Sequence, residues 1–204
     1  EKIGDRKLVR AMADRLPDHL AVLDATEVPA GWNPRLADHR VYRYRMEGME
    51  GWWADDVDRF QRHLALFVGT HDVRNFARME EGKNPIRTVV SAVPWTVGGR
   101  IVGFEIVGHS FLWNQVRRIA MAVHQLEIGR LTYEQVHDAL HRPELPVDFG
   151  VAPAEWLVLW DVVWESLPAT TGPERTMTWQ APPTRAEGAE RTMRRRWGAA
   201  ASAE

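Results

Sequence analysis

Residues 86–107 read IRTVVSAVPWTVGGRIVGFEIV: two runs rich in β-branched and aromatic residues, parted by Gly98 and Gly99. Two glycines between such runs signal a tight hairpin, because a primed turn needs positive φ at both central positions. The spacing predicts strands over residues 86–97 and 100–107, and therefore antiparallel pairing. Directly downstream, residues 110–119 read SFLWNQVRRI and lead from that hairpin into an amphipathic helix. Leu112, Val116, Ile119, Val123 and Leu126 recur at helical spacing and mark one apolar stripe. Arg117 lies beside that stripe. Its guanidinium is charged at any relevant pH and needs a carboxylate, a phosphate or water close by. On spacing alone it also reads as a helix arginine that packs its stem and solvates its head.

Working outward, residues 41–46 read as a short strand with Tyr42 and Tyr44 on one face. Asp55 or Asp56 then caps a helix bearing Val57, Phe60, Leu64 and Phe67, which ends at Gly69. After the second helix comes a shorter one near residues 132–141, and residues 157–164 form a closing strand. The order strand–helix–strand–strand–helix–strand predicts an α+β fold, the ferredoxin-like α/β plait, with an antiparallel sheet and helices on one face. At the start, Asp5 reads as the cap of a helix to about Leu16, with Leu8, Met12 and Leu16 on one face and Pro17 ending it. Residues 20–28 read as a strand and residues 29–34 as a turn-rich connection. The domain reading is a plait over residues 35–166, preceded by residues 1–34 and followed by a flexible tail, residues 167–204. Within that tail Arg191, Arg194, Arg195 and Arg196 read as a basic helix or a solvated arm.

The 204 residues suffice for one good core, and 45% apolar with 26% charged residues is ordinary for a globular chain. No apolar run approaches the roughly 18 residues that span a bilayer, and no signal-peptide pattern opens the chain. Without cysteine there is no disulfide framework and no thiolate chemistry, which fits a cytoplasmic protein. A net charge of −2 argues against a uniformly basic nucleic-acid binder. Locally, however, Arg35, Arg40, Arg43 and Arg45 cluster, opposed there only by Asp38, and phosphate contacts depend on nearby charge.

No glycine-rich phosphate loop and no G-x-S-x-G elbow is present. His137 and His141 stand at i, i+4, but the spacing lacks the glutamate of a zinc protease and a third ligand. It reads as a surface helix with two histidines and no metal. Residues 37–44, ADHRVYRY, interleave arginine with tyrosine on a strand. That pattern suits base stacking with phosphate contacts, and it equally suits a half-buried strand with a solvated face.

Several separated segments carry a family resemblance: LPDHLAV (residues 16–22), RVYRY (40–44), GTHDVRNF (69–76) with NPIRTV (84–89), SFLWNQVRRI (110–119) and APAEWLVL (152–159). In this order they resemble the TruA-type tRNA pseudouridine synthases, archaeal members above all, from about Leu8 to Val163. The resemblance implies conversion of uridine to pseudouridine in the tRNA anticodon arm, with no cofactor or metal, by a cytoplasmic homodimer. It implies that Tyr42 packs against an everted uracil and that Leu157 forms an apolar wall beneath it. Arg117 would pair with a nucleophilic aspartate and keep it ionised. Arg35, Arg40, Arg43, Lys83 and Arg87 are the implied contacts to the RNA backbone.

Two positions depart from the pattern. Trp156 stands where many relatives have glycine, which implies either a narrowed pocket or a lineage difference. Val73 replaces a phenylalanine and reads as a change of core packing. The family's nucleophilic Gly-Arg-Thr-Asp-x-Gly loop does not occur between Glu1 and Glu204. The expectation is therefore the C-terminal portion of a synthase, with residues 1–34 as a remnant of the first domain and connection, inactive alone. The competing expectation is a non-catalytic RNA-binding or dimerisation module derived from that family. An RRM is disfavoured, because residues 100–107 carry one aromatic and an acid where its third strand needs a basic–glycine–aromatic signature.

Overall fold

A computed structural model describes residues 5–17, 20, 22 and 25–167. The expected elements in the tail, and part of the expected strand at residues 20–28, lie outside the described residues. Pro34–Glu165 forms one compact unit. Its elements are β1 (His39–Arg45), α2 (Val57–Ala65), β2 (Gly69–Asp72), β3 (Ile86–Val97), β4 (Arg100–Gly108), α3 (Gln115–Glu127), α4 (Tyr133–His141) and β5 (Leu157–Val163). Ahead of that unit stands α1 (Asp5–Ala13), which stops short of the expected end near Leu16. The residue before a proline is driven out of the helical region, and Pro17 imposes this on Leu16. A second correction concerns residues 20–28, where none of the described residues is in a strand. Propensity alone does not make a strand, which needs a partner to pair with.

The sheet is antiparallel throughout, in the order β2-β3-β4-β1-β5. Gly98 and Gly99 both take positive φ, 57° and 76°, as the hairpin between β3 and β4 requires. The four-residue β2 adds an edge beside β3; it escaped the periodicity argument because four residues carry too little pattern.

Alternation along β1 sorts its side chains between two environments. Tyr44 joins Phe104 and Ile106 in the core, against Phe60 and Leu64 of α2 and Ile119 and Val123 of α3. Arg43 points to the opposite face, where its Nε donates to Glu105 Oε2 at 2.7 Å and its guanidinium lies 3.7 Å from the Trp160 ring. The helices thus cover one face of an α+β sheet. Val73 is buried in the same core.

The start of α2 is as expected, but the helix ends at Ala65 with Leu66 as its cap, short of the expected Gly69, which instead opens β2. Asp56 accepts from the Arg59 N–H at 2.8 Å to start α2. Thr132 and Gln135 form a reciprocal capping box at the start of α4.

Candidate functional site

One cleft of about 400 Å3 opens where β1, the segment after β4, the start of α3 and the start of β5 converge. Gly108 makes the convergence possible. A Cβ there would stand 2.8 Å from Phe111 Cζ and 2.9 Å from the Thr88 carbonyl, so only glycine lets the Phe111 ring settle. Phe111 in turn meets Tyr42 edge-on, with centroids 5.3 Å apart and planes at 88°. Leu157, paired with Tyr44 across the β1–β5 ladder, supplies an apolar wall.

Arg117 lines the same cleft. Its Nε donates to the Ala152 carbonyl at 2.7 Å and its Nη1 to Asn114 Oδ1 at 3.0 Å. The Ala152 N–H returns a bond to the Arg117 carbonyl at 3.2 Å, tying α3 to the segment before β5. Asn114 has φ of 61°, the one described non-glycine residue in the left-handed region. Asparagine tolerates that conformation better than most residues. Here it both turns the chain into α3 and presents its amide oxygen to Arg117. Both bonds go to neutral acceptors. Among the described residues no carboxylate stands within ion-pair distance of Arg117, and nothing accepts from its Nη2.

Tyr42 offers the cleft a ring, not a base, while Tyr44 is buried in the core. Burial pushes the Tyr42 phenol up, with Arg40 opposing. Burial raises the Tyr44 phenol far more, with Arg117 as the chief opposing charge; the Tyr44 hydroxyl donates to the Pro153 carbonyl at 2.9 Å. Among the described residues no Asp, Glu or His lines the cleft. What is assembled is an aromatic face, an apolar wall and a permanent cation with one open edge: a place for a flat ligand beside an anion.

Tyr42, Arg117 and Leu157 therefore come together, as expected of one site. The remaining expected contacts disperse. Arg40 bonds the His109 carbonyl at 2.5 Å and the Arg35 carbonyl at 2.8 Å, bracing the segment that leads to the cleft. Arg43 is across the sheet, Lys83 sits in an exposed turn, and Arg87 Nη1 donates to the Asn84 and Ile86 carbonyls. Trp156 does not narrow the cleft. Its indole lies over Gly48, where a Cβ would be 2.1 Å from Cζ2.

Phe111, Trp113, Asn114 and Gln115 line the cleft without having been singled out from sequence. The available signal was a bulky aromatic pair followed by Asn ahead of a helix. Gln115 is only 1% exposed, and its Oε1 accepts from the Leu112 N–H at 2.9 Å. His137 and His141 stack at 4.0 Å, and among the described residues no group of three potential ligands gathers. No described helix is long and apolar enough to cross a membrane.

A family model described as tRNA pseudouridine synthase matches residues 64–165. The tRNA pseudouridine synthase A of Methanocorpusculum labreanum is 36% identical over 156 residues, covering 76% of this chain and 53% of that protein. Its counterpart in Thermococcus kodakarensis is 37% identical over 156 residues, covering 74% and 56%. That of Pyrobaculum calidifontis is 35% identical over 153 residues, covering 74% and 57%. The chain spans about half the length of the curated relatives it matches.

Proposed function

The chain belongs to the tRNA pseudouridine synthase family, and from that membership we propose that it is the C-terminal, base-binding half of an enzyme that isomerises uridine in the tRNA anticodon arm. The observation that carries this reading is the meeting of Tyr42, Leu157 and Arg117 in one cleft. A uracil must leave its stack before the bond to its sugar can be broken, rotated and remade through carbon. Tyr42 packs against the everted ring, and Leu157 excludes water beneath it.

Arg117 waits for a partner. A guanidinium satisfied on two edges by neutral oxygens, with Nη2 free, suits the carboxylate of a nucleophilic aspartate brought from outside this sequence. Opposite charge in a dry cleft keeps that aspartate ionised. On this reading the 204-residue chain alone binds RNA without isomerising it. Arg35, Arg40, Lys83 and Arg87 hold the RNA backbone over a wider surface than the cleft, whereas Arg43, ion-paired to Glu105 on the opposite face, takes no part in holding RNA at the cleft. The sheet order β3-β4-β1-β5 supports the ferredoxin-like plait, with β2 as an added edge. The complete enzyme is then a cytoplasmic homodimer acting on tRNA without metal or cofactor, as the family resemblance implies.

The test supplies the aspartate-bearing half in the same polypeptide and follows tritium release from tRNA labelled at uridine C5. Arg117→Ala and Tyr42→Ala should each lower release by at least about a thousandfold while tRNA affinity stays within a few fold. Full activity in both variants rejects the assigned roles.

A further inference from the structure

The mouth of the cleft carries an aromatic ring to which none of those roles falls. Trp113 lines the cleft with Tyr42, yet it is 52% exposed. A half-exposed indole keeps much of its apolar surface in water, so it contributes little to a core. Its pose is nevertheless well fixed. The Arg78 guanidinium lies 4.1 Å from the ring centroid. The Arg78 N–H also donates to the Trp113 carbonyl at 2.8 Å. On the other side, the left-handed turn at Asn114 sets the direction in which the chain leaves the indole. One part of the ring is thus backed by a cation, and the rest opens to solvent at the cleft.

We propose that Trp113, held by Arg78, is a stacking platform for the nucleobase adjacent to the everted uridine. This rests on the reading of the cleft as a uridine pocket. Everting one nucleotide removes a stacking partner from its neighbour, and a fixed indole beside the pocket replaces the lost surface. Every base has a π-face, so the platform holds the RNA in place without reading its sequence. Arg78 serves twice. It stiffens the ring by a cation–π contact, and it sets a positive charge where the phosphate between the two nucleotides passes.

The test titrates the 204-residue chain with a fluorescein-labelled tRNA anticodon-arm hairpin, read by anisotropy. Trp113→Ala should weaken binding about tenfold, whereas Trp113→Phe, which keeps a flat ring, should stay within about threefold. Arg78→Ala should weaken binding and reduce the salt dependence by about one phosphate contact. Hairpins lacking the base on one side of the target uridine distinguish stacking from general packing. Wild type should lose about tenfold on one such hairpin, and Trp113→Ala should lose nothing further there. The proposal is overturned if Trp113→Ala binds like wild type, or if its loss adds fully to the loss from a missing base at either flanking position. A wild-type chain that ignores the hairpin refutes the RNA reading itself. A wild-type chain that binds but is indifferent to Trp113 refutes the platform alone.

Discussion

Asn114 and Arg117 act as one geometric unit. The left-handed backbone at Asn114 places its amide oxygen one helical turn ahead, where it receives Nη1 of Arg117. The charge is therefore oriented before any ligand arrives, which is what electrostatic preorganisation requires. Gly103 works on the same scale in the opposite sense, through what it lacks. A Cβ there would stand 1.9 Å from the Tyr44 carbonyl oxygen and 3.1 Å from Arg45 Cα, both backbone atoms of the neighbouring strand. Backbone cannot rotate away as a side chain can. Gly103→Ala should destabilise the protein by about 3 kcal/mol or more, read as a lower denaturation midpoint in urea. A variant as stable as wild type would mean that β1 shifts freely against β4. Trp156 and Gly48 form a comparable pair, since the indole occupies the space that a side chain at Gly48 would take.

At the scale of elements, the same α3 performs two tasks on neighbouring faces. Val116, Ile119 and Val123 bury against the sheet, while Arg117, one position on, reaches the cleft. That division follows from a helical turn of 3.6 residues. Its neighbour α4 is short and depends on its ends. Thr132 accepts from the Gln135 N–H at 3.3 Å, and Gln135 returns a bond to the Thr132 N–H at 2.8 Å. Thr132→Ala should cost about 1 kcal/mol, measured by chemical denaturation, and Thr132→Ser should recover most of it. The sheet is likewise divided between two tasks. Tyr42 and Tyr44 serve the helix-covered side, and Arg43 with Trp160 makes up the other.

For the molecule as a whole, stability should respond to mild acid through His124. This side chain is 5% exposed, with Nε2 3.0 Å from the Glu50 carbonyl and the ring stacked near Trp52. Burial lowers its pKa, with the bond to Glu50 opposing. The unfolded chain then binds a proton that the folded chain resists, so stability is full above an unfolded pKa of about 6.5 and falls below it. Asp56, Asp72 and Asp148 are held low by their hydrogen bonds, so their contributions persist until pH falls through about 4 and below. Between about pH 7.5 and about pH 5.5, wild type should lose more thermal stability than His124→Gln. Equal losses would show that this histidine is not responsible. Local rules read along the chain were enough for the hairpin at Gly98 and Gly99, the cap at Asp56, and the apolar stripe of α3. Each depends on residues a few positions apart, whose propensities and periodicity survive without tertiary contacts. None of the described residues of the strand expected over 20–28 is in a strand, and β2 was missed because four residues carry too little pattern and a strand exists by virtue of its partner. The sequence motifs identified Tyr42, Arg117 and Leu157 as belonging together, but only the β1–β5 pairing and the bond from Arg117 to Ala152 bring them to one cleft. Which rings line that cleft, and that Arg43 faces away from it, were settled by long-range register, which a one-dimensional pattern does not encode.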